Sequence, residues 1–320
     1  MTTARASAEL ASRAPGSKFL RKLKDNYPFL IMLFPAVLIV FLFNYLPIYG
    51  VLIAFQDDFV PGDPFLQPVN GWVGFKNFTD FFNDVQFWPL MKNTFLLCII
   101  GFVVGFPLPI IVSLMLNATR GKRTAKILQT IFNGPHFISL VVLIGMLSIF
   151  FGQYGLVNNI KEGLGGTRTS FFQMESAFRP MYILSSNWQD FGWSAIIYIA
   201  ALSNVDPGQH EAAILDGASR FQRVVHVDLP AIMPMVSLML IMSIGGLMGV
   251  GYEKAYLMQN GHNLGVSELI STYVYRKGIT DPTPNQSYAA AIGLFNSVIN
   301  VVLLIIANAT SKRFSENSLW

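Results

Sequence analysis

Residues 206–230 read DPGQHEAAILDGASRFQRVVHVDLP and separate two apolar runs of the chain. Asp206 suits a helix N-cap, and good helix formers follow it. Gly217 permits the left-handed backbone that ends a helix, and Ser219 can cap a second short helix that stops at Pro230. A plain loop would explain the polarity of the segment but not this order of residues. The pattern therefore predicts a compact helix–turn–helix lying along a membrane face.

The composition of the chain is that of a membrane protein. Hydrophobic residues make up 52% of the 320 residues, charged residues make up 12%, and the mean hydropathy is +0.47. A soluble domain carries roughly 25% charged residues, so this chain has too few charges to cover a soluble surface. The net charge of +4 does not indicate nucleic acid binding, because the basic residues cluster beside apolar runs. Cys98 is the single cysteine, which excludes an intrachain disulfide.

Six segments are predicted to cross the bilayer as helices, since about 20 apolar residues span its core. Five of them contain no Asp, Glu, Lys or Arg, namely 29–49, 94–116, 127–151, 231–251 and 289–309. The remaining segment, 183–205, has a short apolar part and carries Asn187 and Asp190 in its outer turns. The predicted fold class is therefore an all-α membrane protein with six transmembrane helices.

The distribution of Lys and Arg sets the predicted orientation. With the N-terminus in the cytoplasm, 14 of the 22 Lys and Arg lie on the inner side, near span ends and in short loops. Both termini are then cytoplasmic, as a basic N-terminal tail (1–28) and a C-terminal tail (310–320). The membrane domain covers 29–309, and 206–230 lies on its inner face. No cleavable signal peptide is visible, because the first apolar run is long enough to stay in the membrane.

Three long outer loops are expected at 56–92, 152–187 and 252–288. The first is rich in Phe and Trp, which leaves two interpretations open. Its aromatic side chains form an interfacial belt at the membrane surface, or they form a docking surface for an external protein.

The sequence carries few signals of catalysis or of ion coupling. It contains neither a GxxxxGK[ST] nor an HExxH motif, and its four His are scattered, so no metal site and no catalytic residue is predicted. His136 is the only His in the five charge-free segments, and its simplest role is a hydrogen bond between helices. Ion-driven carriers usually place Asp, Glu, Lys or Arg inside the membrane. The five charge-free segments lack such residues, which counts against an ion-driven carrier. A stand-alone secondary sugar carrier stays the alternative function, and a membrane-embedded enzyme would need catalytic groups that are not visible.

The segment 206–230 resembles a known motif. Glu211-Ala212-Ala213-x-x-x-Gly217, followed after nine residues by Val227-x-Leu229-Pro230, is similar to the EAA loop of inner-membrane permeases in binding-protein-dependent ABC importers. The family usually has Ile at the position of Val227. Asp216-Gly217-Ala218 agrees with the Asp-Gly-Ala of sugar permeases.

The resemblance extends over nearly the whole chain. It is to the branch of sugar permeases that transports complex oligosaccharides and polysaccharide fragments, the alginate importer permease among them. The motifs that carry it are Asn44-Tyr45-Leu46-Pro47, Val73-Gly74-Phe75-x-Asn77-Phe78, Gln129-Thr130, Pro135-His136-Phe137-Ile138-Ser139, Thr272-Tyr273-Val274-Tyr275-Arg276 and Ser318-Leu319-Trp320.

The resemblance implies the type I ABC importer permease fold and a mechanism. Two homologous permeases form a heterodimer in the bacterial cytoplasmic (inner) membrane, as multi-pass proteins surrounded by lipid. An extracytoplasmic solute-binding protein delivers the carbohydrate, and a cytoplasmic ATPase dimer docks onto the EAA loops. ATP and Mg belong to that ATPase, so the chain itself would hold no cofactor, would bind no nucleic acid and would not be an enzyme.

The residues expected to couple the chain to the ATPase are those of the motif. Short Ala side chains let the loop seat closely, and the Glu offers a charge that an ATPase residue can bind. Asp216 and Arg220 are four residues apart and are expected to brace one another. The full set is Glu211, Ala212, Ala213, Asp216, Gly217, Arg220, Leu229 and Pro230.

The substrate path is expected along the fourth and fifth segments, because sugars bind to aromatic faces and to hydrogen-bonding groups in wet cavities. The fifth segment lacks the several Asn of maltose-type relatives, which argues against a maltose-like site. Its glycines either widen the path or serve helix packing. Asn296 and Asn300, one turn apart, are expected to make interhelical hydrogen bonds. The candidate path residues are Tyr198, Ser243, Gly246, Tyr252 and Glu253.

Overall fold

The computed structural model of the chain describes residues 26–62, 68, 70–119, 121–249 and 251–314. Within these ranges the chain is helical, and extended backbone pairs only in an isolated bridge between Gln56 and Trp72. The motif 318–320 and nearly all of the predicted tail 1–28 lie outside the described residues.

The α-helices are numbered here in chain order. They are α1 (Tyr27–Val40), α2 (Lys76–Asn83), α3 (Phe87–Gly105), α4 (Pro107–Asn117), α5 (Lys122–Asn133), α6 (Leu140–Phe151), α7 (Leu156–Gly163), α8 (Glu175–Leu202), α9 (Pro207–Leu215), α10 (Arg220–Arg223), α11 (Leu229–Gly245), α12 (Tyr252–Met258), α13 (Leu264–Ser267), α14 (Ile270–Tyr275) and α15 (Gln286–Phe314). Segments of 3-10 helix cover Leu46–Phe55, Gly134–Phe137 and Phe171–Gln173, and π-helical turns cover Phe41–Tyr45, Val224–Asp228 and Arg276–Thr280.

The chain is a multi-pass membrane protein. In the part that the structure describes, five helical stretches are long and apolar enough to cross a bilayer. They are Tyr27–Phe55, Phe87–Asn117, Leu140–Gly163, Arg220–Gly245 and Gln286–Thr310. The predicted all-α architecture is therefore confirmed, whereas six crossings and cytoplasmic termini stay predictions.

The predicted fourth span, 183–205, lies within α8, a 28-residue helix. With 28 residues the helix is long enough to cross a bilayer. It is not among the five apolar stretches, and it carries Asn187 and Asp190 near its middle. Side chains along its length are buried, among them Phe178 and Tyr198. Packing inside the protein, rather than hydropathy, thus accounts for the position of this helix.

The predicted third span, 127–151, is interrupted at Pro135, a residue at which the sequence predicts a kink or a break. An amphipathic helix, α5, ends at Asn133, and a 3-10 turn at Gly134–Phe137 separates it from α6, which begins at Leu140. Pro135 in this turn lacks a backbone N–H and so cannot continue the helical hydrogen-bond pattern. Ser139 has extended backbone, and its hydroxyl accepts a hydrogen bond from Val142 N as the N-cap of α6.

The predicted fifth span, 231–251, differs at both ends. The helix continues without a stop at Pro230, because a π-helical turn at Val224–Asp228 joins α10 to α11. The Leu229 N–H bonds to Val224 O in this turn. The π-helical turn thus accommodates Pro230, the second residue of α11, which has no N–H to donate. At the other end α11 stops at Gly245.

Side chains of α15 hold the non-helical backbone that follows α11. Asn300 Oδ1 accepts a hydrogen bond from Met248 N at 3.0 Å, and Asn296 Nδ2 donates to Met248 O at 3.3 Å. Both Asn therefore make hydrogen bonds as expected, but their partner is the turn after α11 and not another helix.

The hydrophobic core is built around α8 and α15. Helix α8 packs against α3, α4, α5 and α11, and α15 packs against α11, α14 and the 3-10 segment Leu46–Phe55. The aromatic residues of the first outer loop divide between this core and the surface. Phe81 is buried against Phe295 of α15, whereas Phe75 and Trp88 are exposed.

Candidate functional site

The first half of the segment 206–230 folds as its residue pattern predicts. Asp206 caps α9, with its carboxylate accepting a hydrogen bond from Gly208 N at 2.9 Å. The helix ends in a tight turn in which Ala218 N bonds to Ala213 O at 2.9 Å and Gly217 has φ of +78°. A residue with a Cβ is strained in that conformation, so Gly217 sets the angle between α9 and the next helix.

A capping box begins the second helix of the segment. Gln222 N donates to Ser219 Oγ at 3.3 Å, and Ser219 N donates to Gln222 Oε1 at 2.7 Å. These reciprocal bonds satisfy donors that the start of a helix otherwise leaves free. The end of α9 and the start of α10 are therefore both capped by hydrogen bonds, which makes the turn between these helices stiff.

The outer surface of the segment exposes large apolar side chains. Leu215 is 88% exposed, Phe221 is 76% exposed and Ile214 is 54% exposed. Glu211 and Ala212 are exposed beside them. Exposed apolar side chains of this size on one short segment indicate a contact surface for another protein.

The expected brace between Asp216 and Arg220 is absent from the ion pairs that the described residues form. The rule for residues four apart holds within one helix, but Gly217 separates these two residues. Asp216 ends α9, and Arg220 begins α10.

A buried polar cluster joins the segment to the spans. Asp228 is 2% exposed, and its Oδ1 lies 3.1 Å from His210 Nε2 of α9. Asn117 Nδ2, at the end of α4, donates to the same oxygen at 3.1 Å. We call these three residues the root cluster. Sequence reasoning did not find it, since its members are up to 111 residues apart.

Leu229 and Pro230 lie beside the root cluster at the start of α11, whereas Glu211, Ala212 and Gly217 lie at the exposed end. The predicted coupling residues therefore occupy two places. One set forms the surface, and the other joins that surface to a crossing helix.

A groove runs between α3, α8 and α11. It consists of a cavity of about 460 Å³ and a second one of about 420 Å³, which share a wall of Gly101, Phe102, Asn187 and Ser243. We call the two together the groove. Its larger part is lined by both polar and aromatic groups, among them Asp190, Trp193 and Ser194 of α8.

The predicted path residues fall into three groups. Ser243 lines both parts of the groove, and Gly246 lines the smaller part. Tyr198 lines the larger part but is 3% exposed and packs in a core cluster with Leu202. Tyr252 and Glu253 are not among the lining residues of either part; Tyr252 stacks on Tyr275 at 5.3 Å between ring centroids. Their role in a path stays a prediction.

A buried lysine stands behind the groove. Lys254 belongs to α12, outside the five apolar crossing stretches, and is 6% exposed. Its Nζ donates to Ser186 Oγ at 2.7 Å and lies 5.1 Å from the ring centroid of Tyr182, and both partners line the groove. Burial lowers the pKa of Lys254 to about 8, and the charge of Asp190 opposes this shift in part.

No group of three or more His, Cys, Asp or Glu that would suit a metal ion occurs among the described residues. The polar residues of the groove are hydrogen-bonding groups instead, and a groove of this kind can hold a polar solute against aromatic faces.

Helices that cross a membrane, a polar groove between them and a stiff exposed helical segment together define a membrane-embedded transport protein. The family described as "Binding-protein-dependent transport system inner membrane component" matches residues 105–316. The chain belongs to this family, whose members are membrane components of transport systems and not enzymes.

Similar proteins cover almost the whole chain. Protein LplB of Bacillus subtilis is 38% identical over 314 residues, which are 98% of this chain and 97% of that protein. The polygalacturonan/rhamnogalacturonan transport system permease protein YteP of Bacillus subtilis is 36% identical over 95% of this chain and 93% of that protein. A chain in the crystal structure of a bacterial ABC transporter involved in the import of the acidic polysaccharide alginate is 32% identical, with a TM-score of 0.84 over 93% of this chain and 99% of that chain.

Proposed function

We propose that this protein is a permease subunit of an ATP-driven importer that carries an oligosaccharide or a polysaccharide fragment across the bacterial cytoplasmic membrane. The observation that carries the proposal is the stiff segment 206–230, which exposes an apolar surface and is joined to a crossing helix at the root cluster.

The coupling step follows from this geometry. A cytoplasmic ATPase dimer binds ATP and Mg and holds the exposed end of the segment, with Leu215 and Phe221 as apolar contacts and Glu211 as a charged one. Closure of the ATPases displaces the segment as a unit, because both helices are capped at the turn. The continuous helix from Arg220 to Gly245 passes the displacement into the wall of the groove.

A second homologous permease completes the path in this proposal. None of the 14 residues of α1 is buried within this chain, so this apolar helix is available to lipid and to the partner subunit of the proposal. An extracytoplasmic solute-binding protein delivers the substrate. Support for such a partner comes from a second structure, of the alginate transporter in complex with an alginate pentasaccharide-bound periplasmic protein, whose chain has the same identity and TM-score.

The carbohydrate class rests on the relatives and on the groove. The substrates named for similar systems are polygalacturonan, rhamnogalacturonan and alginate, and the groove of this chain offers aromatic and hydrogen-bonding groups suited to sugars.

Purification of the tagged chain from its native membranes tests the proposal. We expect an ATPase and a second multi-pass permease to co-purify, and a sugar-loaded binding protein to stimulate ATP hydrolysis by the reconstituted complex. A chain that purifies alone and accumulates sugar under an ion gradient would contradict the proposal.

A further inference from the structure

The interruption between α5 and α6 lies against the middle of α8. Gln189 Nε2 of α8 donates to Ile138 O at 2.7 Å, which satisfies a carbonyl that the broken helix leaves free. Gly192 faces the carbonyl of Phe132 so closely that a Cβ would collide with it. Irregular backbone at membrane depth is tolerated where protein covers it or where it lines a wet cavity. Helix α8 therefore fixes the interruption in place.

Three side chains at this junction form a cluster. The ring of His136 stacks on the indole of Trp193, with centroids 4.5 Å apart and planes 8° from parallel. His136 Nδ1 lies 3.0 Å from Asp190 Oδ1. Because Asp190 and Trp193 are one helical turn apart on α8, the interruption and the helix hold all three in a fixed arrangement. We call these residues the junction cluster.

The junction cluster opens into the groove. Trp193 is 48% exposed although His136 covers one face of its ring, and both Trp193 and Asp190 line the larger cavity. Asn187, one turn before Asp190, lines both cavities, and its Nδ2 is buried without a hydrogen-bond partner in the described structure. A buried donor without a partner is costly, which points to a ligand or water that accepts from it.

The wall of the groove thus presents an aromatic surface, a carboxylate acceptor and an amide donor side by side. A sugar ring has an apolar face that packs on an indole, hydroxyl groups that donate to a carboxylate and oxygens that accept from an amide. A lipid chain would leave the amide donor of Asn187 without a partner.

We propose that the junction cluster together with Asn187 is a carbohydrate subsite in which the open face of Trp193 carries one sugar ring, Asp190 accepts its hydroxyls and Asn187 donates to a ring substituent. The inference rests on the proposed function and names the place in the chain where the transported sugar binds. His136 is a positioning residue, because it holds the indole and the carboxylate relative to each other without facing the sugar.

A second Trp on the same helix provides a matched control. Trp188 is 43% exposed and lines a different cavity of about 590 Å³, whose other lining residues are apolar except for Ser185. Replacement of Trp188 removes a similar ring from the same helix but leaves the groove intact.

Two measurements on the complex purified from native membranes test the subsite. The first is equilibrium binding of trigalacturonate and of alginate pentasaccharide by calorimetry, without a binding protein. The second is uptake of the same probes into proteoliposomes with ATP and the loaded binding protein. We expect Trp193→Leu to weaken binding of a probe about tenfold, the size of one lost aromatic contact, and to slow uptake in parallel. Trp193→Tyr should restore both, and Trp188→Leu should leave both within about twofold of wild type.

The outcomes separate the subsite from the transport function. If Trp193→Leu binds and takes up the probes as wild type does, the proposed subsite is wrong, but the proposed importer function is not contradicted. Wild-type protein that binds a probe but never takes it up overturns the importer and leaves the subsite standing. If Trp193→Leu does not assemble, Asp190→Asn preserves the size of the side chain, and unchanged binding by that variant also overturns the subsite.

Discussion

At the scale of single residues, Gly217 is the clearest case in which backbone conformation decides the shape of the exposed segment. Its φ of +78° is open to glycine and strained for other residues, and no neighbouring atom lies within 4 Å of the position that a Cβ would occupy. The constraint is therefore one of conformation and not of space. The sequence predicted this turn correctly, because a glycine between two short helical patterns has few other uses.

Gly217→Val should leave the protein in the membrane but lower binding-protein-stimulated ATP hydrolysis about fivefold or more, since a β-branched residue in this conformation costs about 1–2 kcal/mol. ATP hydrolysis by the reconstituted complex measures the effect. Gly165→Val is the control, because Gly165 has φ of +84° in an exposed turn far along the chain from the coupling segment. Equal losses in the two variants would show that general strain, and not the coupling turn, is responsible.

Lys254 gives a pH dependence of stability with a defined sign. Its pKa of about 8 lies below the ordinary value of 10.5, so the unfolded chain binds a proton that the folded protein does not bind between these two values. Stability should therefore rise as pH increases from about 8 to 10.5. Lys254→Met should be more stable than wild type at pH 7 and should lack this rise. Thermal unfolding midpoints in detergent between pH 7 and pH 10 measure both effects, and identical pH profiles would contradict the assignment.

At the scale of helices, the root cluster shows how a short helix is joined to a span. Asp228 accepts from Asn117 of α4 and pairs with His210 of α9, so one buried carboxylate connects three helical elements. The sequence indicated the helices themselves through caps and glycine, but not this connection. Hydrogen bonds between residues that are distant in sequence leave no periodic pattern, so only the folded arrangement reveals them.

Asp228→Ala should loosen α9 from the spans and should lower stability by about 1–3 kcal/mol, because the partners of a buried carboxylate are left unsatisfied. Hydrogen–deuterium exchange of residues 207–215 should become faster, while that of α11 stays slow. Asp216→Ala is the matched control, an exposed acidic residue of the same segment without an ion pair among the described residues. Unchanged exchange in Asp228→Ala would refute the role of the root cluster.

The two proline predictions at this scale have different outcomes. The predicted kink or break at Pro135 is confirmed, whereas the predicted stop at Pro230 is wrong because the helix continues there. A proline removes one hydrogen bond in either case. The neighbouring helix decides whether the helix breaks at the proline or continues through a π-helical turn. At Pro135, Gln189 and Gly192 of α8 hold the broken backbone in place.

At the scale of the whole molecule, the chain is one part of an assembly. Three parts of its surface are available to other molecules. They are the exposed residues of α1, the apolar surface at Leu215 and Phe221, and the groove. Each fits one of the proposed partners, namely a second permease, an ATPase and a sugar. The purification experiment and the Trp193 variants test these partners separately.

The sequence by itself determined the membrane environment, the helical class and the two short helices of segment 206–230, because apolar run length, caps and glycine act locally along the chain. Only the tertiary structure decided that Asp190, Trp193 and His136 meet at one wall, that Asp228 joins three helices and that Lys254 is buried. These contacts connect residues up to 111 positions apart, and packing between helices fixes them rather than any preference of the local sequence.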